Sequence, residues 1–268
     1  MEKDTNHKPV IIGAGEIGGA TPADMCEEAL HKTNALFWSK KGGDVLGTTA
    51  LPFYGAFISE ENHHLLGNIA GKKVLEIGCG NGRSLQYLGA RNTSELWGID
   101  LSEEQLQKTA THLAAHGLSA KLICSPMEEE CGLPALYFDV VYSVYAIGWT
   151  TDLKATLCRI ATYLKKSGTF IFSWSHPIHK CVALENGQLV FKKCYFDENW
   201  YSVALEGGIF SLSDRTLSTY INALASAGFI IEEMIEQPDN EILQGQKDDF
   251  ARKAEMLPVT FVVKATKR

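Results

Sequence analysis

The stretch Val74-Leu75-Glu76-Ile77-Gly78-Cys79-Gly80-Asn81-Gly82-Arg83-Ser84 constrains the fold more than any other part of this chain. Val74 to Ile77 is a short apolar run around one carboxylate, the pattern of a buried strand in a parallel sheet. Three glycines at alternate positions follow, and a helix pattern starts at Arg83 or Ser84. Glycine lets the main chain turn sharply and lets a ligand come close, because no Cβ stands in the way. A strand that ends in such a turn and feeds a helix is the nucleotide-binding corner of an open α/β sheet. Glu76 separates two versions of that corner. It would repel a pyrophosphate, whereas a ligand carrying an ammonium or sulfonium cation is tolerated or attracted.

The pattern continues beyond the corner. Residues 84–91 read as a helix and Glu95–Asp100 as the next strand, ending in an acid 24 residues after Glu76. An acid at that tip can accept both ribose hydroxyls of an adenosine group; a solvated acid at a strand end is the alternative. Ser102 and Gln105 have capping-box spacing for a helix that ends at His116-Gly117. Ala120–Cys124, Phe138–Ser143 and Thr169–Trp174 read as the third, fourth and fifth strands. An amphipathic helix from Asp152 to Lys166, ended by Gly168, lies between the last two. Ser213 caps a helix to Ala227, and Ile230–Ile235 and Pro258–Ala265 are the final strands. Helices and strands alternate from residue 59 to residue 265, so one doubly wound α/β domain is expected.

The E-x-G-C-G-N-G run at Glu76–Gly82 resembles the first motif of class I S-adenosylmethionine (SAM) dependent methyltransferases, and L-x-G-I-D-L-S at residues 96–102 is similar to the second. The resemblance covers about Asn34 to the C-terminus and is weak over 177–212. It implies a Rossmann-like seven-stranded sheet with an antiparallel last strand, SAM as cofactor, and cofactor contacts from Glu76, Gly78, Cys79, Gly80, Asp100 and Leu101. After the third strand the family usually carries an acid followed by a small or apolar residue. Here Pro126 replaces that acid. Met127 still offers its N–H and a packing surface, and Glu128 is the candidate carboxylate unless it is one of three exposed acids. The backbone at Ser143 would meet the methionine part of SAM. Many relatives place a His where this chain has Gly148, and Trp149 matches the family's aromatic residue. Tyr145 and Trp149 are candidate pocket walls, with plain core packing as the alternative.

The first 58 residues read as a tail and a cap. Gly13–Gly18 matches G-x-G-x-x-G, but no strand ending in an acid follows at the right distance, so a glycine-rich tail or flap is expected. Thr21-Pro22 reads as the start of a helix to about Trp38, broken at Gly42-Gly43, with a loop over residues 42–58. In the resembling family such a segment folds over the SAM pocket, often with an Asn-x-x-x-Trp pair; Asn34 and Trp38 have that spacing, and Trp38 is a candidate substrate-binding residue. Ser59 caps a second helix through Ile69. Residues 177–212 are an insertion, with a hairpin signal at Asn186-Gly187. Its aromatics (Tyr195, Phe196, Trp200, Tyr201) suggest a lid. The division expected is 1–58 as tail and cap and 59–268 as the methyltransferase domain.

Composition narrows the partners. The chain has 268 residues, 45% hydrophobic and 21% charged, with a net charge of −7. No basic stripe of the kind that binds nucleic acid is present; Lys165-Lys166 and Lys192-Lys193 read as a helix end and a hairpin edge facing solvent. A small-molecule acceptor is expected, with no nucleic-acid and no membrane partner. Residues 1–8 have no apolar leader core, and the seven cysteines are an odd number without a C-x-x-C pair. Both fit a reduced, cytoplasmic setting.

Methyl transfer from a sulfonium is mainly a matter of alignment and exclusion of water. An N–H or O–H acceptor also invites a base, and His176, just beyond the fifth strand, is the candidate; a His that holds the loop by a hydrogen bond is the alternative. His176 and His179 lack a third ligand at sensible spacing, so no metal is expected. The N- or O-methyltransferase reading competes with a SAM-binding module without turnover and, further off, with a nicotinamide oxidoreductase using Gly13–Gly18.

Overall fold

The computed structural model describes residues 8–268. Residues 1–7, which carry most of the no-leader expectation, lie outside the described residues. Strands β1 (Lys8–Ile12) and β2 (Gly15–Pro22) precede helices α1 (Glu27–Lys40) and α2 (Gly42–Leu46), a short β3 (Phe53–Gly55) and β4 (Ile58–Ser59), and α3 (Glu60–His63). Then come β5 (Lys73–Ile77), α4 (Arg83–Gly89), β6 (Glu95–Asp100), α5 (Glu103–Ala115), β7 (Lys121–Cys124), β8 (Phe138–Val144), α6 (Leu153–Tyr163) and β9 (Leu164–Ser175). The insertion contributes β10 (Val182–Glu185), β11 (Gln188–Phe191), β12 (Trp200–Leu205) and β13 (Gly208–Ser213). The chain closes with α7 (Leu217–Ser226), β14 (Phe229–Ile235), α8 (Asn240–Gln244), α9 (Asp249–Ala254) and β15 (Thr260–Lys267).

The main sheet has seven strands in the order β14-β15-β9-β8-β5-β6-β7. The pairs β5–β6, β5–β8, β6–β7 and β8–β9 are parallel, while β15 is antiparallel to both β9 and β14. This is the expected doubly wound Rossmann-like sheet with an antiparallel last strand. Strand β5 is apolar on both sides because both faces are covered: Val74, Leu75 and Ile77 are fully buried. The chain leaves β5 toward β6 on one side and returns to β8 on the other. That reversal opens a crevice at the carboxyl ends of the strands, directly above the glycine corner.

A second sheet, β1-β2-β12-β13, joins residues 8–22 to the insertion. The glycine-rich start is therefore a hairpin rather than a tail or flap: Ile12 faces Gly15 across the two-residue loop Gly13-Ala14, and Gly13 has φ of 60°. A G-x-G-x-x-G run that turns back into a strand presents no helix end to a phosphate, so no dinucleotide corner forms there. The hairpin is pinned to the insertion. Ala14 O accepts from Leu184 N at 2.7 Å, and the buried Lys253 donates to Gly13 O, His179 O and Val182 O.

Several boundaries differ from the sequence reading. Thr21 and Pro22 belong to β2, paired with Ser202 and Tyr201, so the cap helix starts only at Glu27. Ser59 does cap a helix, accepting from Asn62 N, but His64 enters the left-handed region and ends it after one turn. Strand β9 begins at Leu164, and Gly168 lies inside it rather than ending a helix. The cap of α7 is Thr216, not Ser213. Lys193 is not at a solvent edge: it is buried and ion-paired with Asp214. The Asn186-Gly187 hairpin forms as expected.

Candidate active site

The cavity at the carboxyl edge of β5, β6 and β8 is walled on one side by the glycine corner and on the other by aromatic side chains. The corner is tight. Gly78 N and Cys79 N both donate to Ile99 O, at 2.8 and 2.9 Å, and Gly80 N donates to Asp100 Oδ2 at 2.8 Å. Gly78, Gly80 and Gly82 all have positive φ, but they are needed for different reasons. A Cβ at Gly78 would lie 2.2 Å from Ala146 Cβ, and one at Gly82 would lie 2.7 Å from Thr109 Cγ2. Those two positions are filled by the protein itself. A Cβ at Gly80 would meet no protein atom within 4 Å, so Gly80 is the glycine whose open face a ligand can use.

Asp100 stands at the tip of β6 as expected. Ser102 N donates to its Oδ1 at 2.9 Å, and Gly80 N to its Oδ2, which fixes the carboxylate at the cavity wall. Each oxygen keeps a further lone pair for a hydroxyl. Burial raises the Asp100 pKa against the pull of those amides. Glu76, also on the wall, is buried and accepts from Tyr142 Oη at 2.9 Å. Burial holds its carboxyl well above the usual carboxylate range, so a cation arriving beside it favours its ionised form.

Cys79, Leu101 and Met127 line the cavity. Ser143 does not: it is fully buried, its hydroxyl donates to Ile77 O at 3.0 Å, and the wall at this point is Val144, Tyr145 and Ala146. The cavity wall thus begins one residue further along, because β8 continues to Val144 before it bends. Glu128 is neither exposed nor free. It lines the cavity, but its Oε1 accepts from His31 Nε2 at 3.0 Å, from Thr151 N at 2.7 Å and from the Thr151 hydroxyl. Burial would raise its pKa; these bonds outweigh burial and hold it at about 2. Glu128 thus latches the cap helix to the loop after β8.

The cap α1 is fastened at three further points. Asn34 forms two bonds with the backbone of Ser211 on β13, at 2.9 and 2.8 Å. Gln105 Nε2 donates to Trp38 O at 2.8 Å, and Ser39 Oγ meets Ser102 Oγ at 2.8 Å. The Ser102 capping box is consequently half-formed: Ser102 Oγ accepts from Gln105 N, while the Gln105 side chain reaches the cap helix instead.

Trp38, Tyr145 and Trp149 all line the cavity. Trp149 is the hub, with ring centroids 5.2 Å from Trp38, 5.5 Å from Phe210 and 6.0 Å from Trp174. The absence of a side chain at Gly148 now has a cause. A Cβ there would lie 1.9 Å from Trp174 Cε2, so the Trp174 indole occupies the room that a His would need. Trp174 was legible in principle as the last large residue of the fifth strand; Phe210, His31 and Lys180 carried no local signal. The aromatics expected to form the lid, Tyr195, Phe196, Trp200 and Tyr201, are outside the cavity lining. Phe196 is 80% exposed, and Tyr201 is buried with its hydroxyl on Asp214.

His176 is not on the cavity wall. Ile178 N donates to its Nδ1 at 3.1 Å, which leaves Nε2 to carry the proton and donate to Glu236 at 2.7 Å. Burial lowers its pKa, against the pull of Glu236. Both nitrogens are engaged in holding the turn after β9, which is the arrangement of the alternative in which this His holds the loop by hydrogen bonds. Glu27, His31 and Glu128 are close enough together to share an ion, but the hydrogen bonds from His31 and Thr151 to Glu128 explain the cluster without one.

No described helix is long and apolar enough to cross a membrane. A methyltransferase-domain family model matches residues 75–172. An uncharacterised protein of Haemophilus influenzae is 32% identical over 189 residues, which span 64% of this chain and 72% of that protein. A ubiquinone biosynthesis O-methyltransferase of Salmonella arizonae is 29% identical over 107 residues, 40% of this chain and 44% of the relative, so the match spans under half of that enzyme. Among solved structures, a SAM-dependent methyltransferase from Mesorhizobium loti superposes with a TM-score of 0.68 at 23% identity, over 80% of this chain and 99% of that one; this likeness is one of fold. Sheet order, corner and relatives agree: the chain belongs to the class I SAM-dependent methyltransferases.

Proposed function

We propose that this methyltransferase acts on an N or O atom of a small-molecule acceptor held against the Trp149–Trp174 wall. One observation carries the reading: the cavity joins the Asp100 side to an aromatic side under a roof made by α1 and β13. Bound SAM supplies a methyl group already activated by its sulfonium. On this reading Asp100 accepts the ribose hydroxyls, Gly80 gives the main chain's close approach, Glu76 faces the cationic end, and Leu101 and Met127 pack the adenine side. Val144 to Ala146 take the place expected for Ser143. Trp38, Tyr145 and Trp149 orient the acceptor and exclude water, and Glu128 holds the roof rather than the adenine. With His176 committed elsewhere, alignment and desolvation supply the rate.

The cap and the insertion are best taken as one roof unit (residues 8–58 with 177–213), in place of a division at residue 58. Seven free thiols support a reduced, cytoplasmic setting. The test is a methyl-transfer screen from SAM against small aromatic and heteroaromatic alcohols and amines, with duplex DNA, RNA and a protein lysate as the other arms. Transfer to a small molecule is expected. Transfer to a macromolecular arm alone would contradict the reading.

A further inference from the structure

Lys180 is a charged group on the cavity wall that the alignment argument does not use. It sits in the short turn His179–Cys181 beyond β9, and only 8% of it is exposed. Its side chain makes no hydrogen bond or ion pair among the described residues, although its charged neighbours are all engaged. Asp214, the acid that acts on it, already accepts from Lys193 and from Tyr201 Oη at 3.0 Å. Lys253 is spent on three carbonyls. Lys193 and Asp214 neutralise each other, so Lys180 is left as a surplus cation. A buried ammonium without a partner is costly, and an anion in the cavity would relieve that cost with a charge-assisted bond. The roof residue Phe210 and the rings of Trp149 and Trp174 line the same cavity and offer flat apolar faces.

We propose that Lys180 anchors an anionic oxygen of the methyl acceptor, which makes the acceptor a planar aromatic or conjugated molecule bearing a carboxylate, phenolate or enolate. The proposal rests on the methyl-transfer reading only for the word acceptor; the anion site itself needs no turnover.

The other source of an anionic oxygen in this cavity is the amino-acid carboxylate of the cofactor, and the experiment separates the two. The protein is first saturated with S-adenosylhomocysteine, and benzoate and its neutral analogue benzamide are then titrated by tryptophan fluorescence. Benzoate is expected to bind the loaded protein more tightly than benzamide. Lys180→Met should weaken benzoate by about tenfold or more, leave benzamide unchanged, and leave S-adenosylhomocysteine affinity within about twofold. Met fills the same volume without a charge, so the folded state should be retained; Lys180→Arg keeps the cation and should keep most of the benzoate binding. Burial lowers the Lys180 pKa, with Asp214 and Cys181 opposing and Lys193 and Lys8 reinforcing. Benzoate affinity should therefore fall as pH rises through that value in the wild type, and later in Lys180→Arg. Three results would overturn the proposal: equal affinity for benzoate and benzamide, an unchanged benzoate affinity in Lys180→Met, or a loss of S-adenosylhomocysteine binding in that variant, which would assign Lys180 to the cofactor. Failure here with methyl transfer intact in the acceptor screen would leave the proposed function standing. Absence of methyl transfer to every acceptor, with benzoate binding intact, would do the reverse.

Discussion

The two walls of the cavity are built on opposite principles. The glycine-corner wall, the one proposed to take the cofactor, is main chain and short acids: Gly80 open to the cavity, Asp100 held by two backbone amides, and Glu76 buried beneath. Its acids are fixed by bonds to the neighbouring loops or to the adjacent strand. The facing wall is made of large side chains, Trp38, Trp149, Trp174 and Phe210, brought from four separate segments and held by one another. A ligand common to a whole family is suited to fixed backbone geometry. An acceptor that varies is suited to side chains, which can be exchanged without disturbing the sheet.

That contrast can be broken at the cofactor wall first. Asp100→Asn keeps the side chain's shape but removes its charge, and it should weaken SAM binding by about 1.5–3 kcal/mol. Calorimetry that returns the wild-type dissociation constant would remove Asp100 from the cofactor site. The facing wall should respond through packing. Gly148→His drives a Cβ into the Trp174 indole and should cost about 1–3 kcal/mol of stability as overpacking. Adding Trp174→Ala should recover much of that loss, so the two changes are coupled. Simple additivity in denaturant midpoints would show that Trp174 does not fill the space.

His176→Ala belongs to neither wall. It leaves the half-buried Ile178 amide without its acceptor, at a cost of about 0.5–1.5 kcal/mol, while turnover per folded molecule should change by less than about threefold, since the imidazole is not on the cavity wall. A large fall in turnover with stability unchanged would restore it as the base. The smallest effect is a slope. Burial holds Glu76 well above the usual carboxylate range, and a cationic ligand prefers the ionised form, so binding of SAM releases a proton. Affinity should rise as pH climbs through the Glu76 pKa and level off above it, and Glu76→Gln should flatten that slope. An equally steep profile in the variant would place the proton elsewhere.

The fold of the glycine-corner wall was legible in the sequence because its pieces are local. Glu76 to Gly82 and Glu95 to Asp100 each carry their own strand, turn and helix pattern, and adjacent parallel strands then bring them together. Where that reading slipped, the slip was short: β8 runs one residue beyond the Ser143 at which the sequence reading ends it, and the wall begins at Val144. The roof was illegible because it is a long-range object. Nothing near Thr21 signals that its partner is Ser202, and the helix start read at Thr21-Pro22 is overridden by that pairing. Asn34 and Ser211 lie 177 positions apart, beyond the reach of any local pattern. The partner of His176 was hidden for a related reason. Topology put it at the correct end of β9, but Glu236, which claims its Nε2, arrives from the end of β14.

The most direct test is a structure of the protein with S-adenosylhomocysteine bound. The account predicts the ribose hydroxyls within hydrogen-bond distance of Asp100, the main chain at Gly80 in contact with the ligand, and the sulfur facing the side on which Trp149 and Trp174 stand. A ligand whose ribose lies away from Asp100, or whose sulfur is closed off from the aromatic wall, would contradict it.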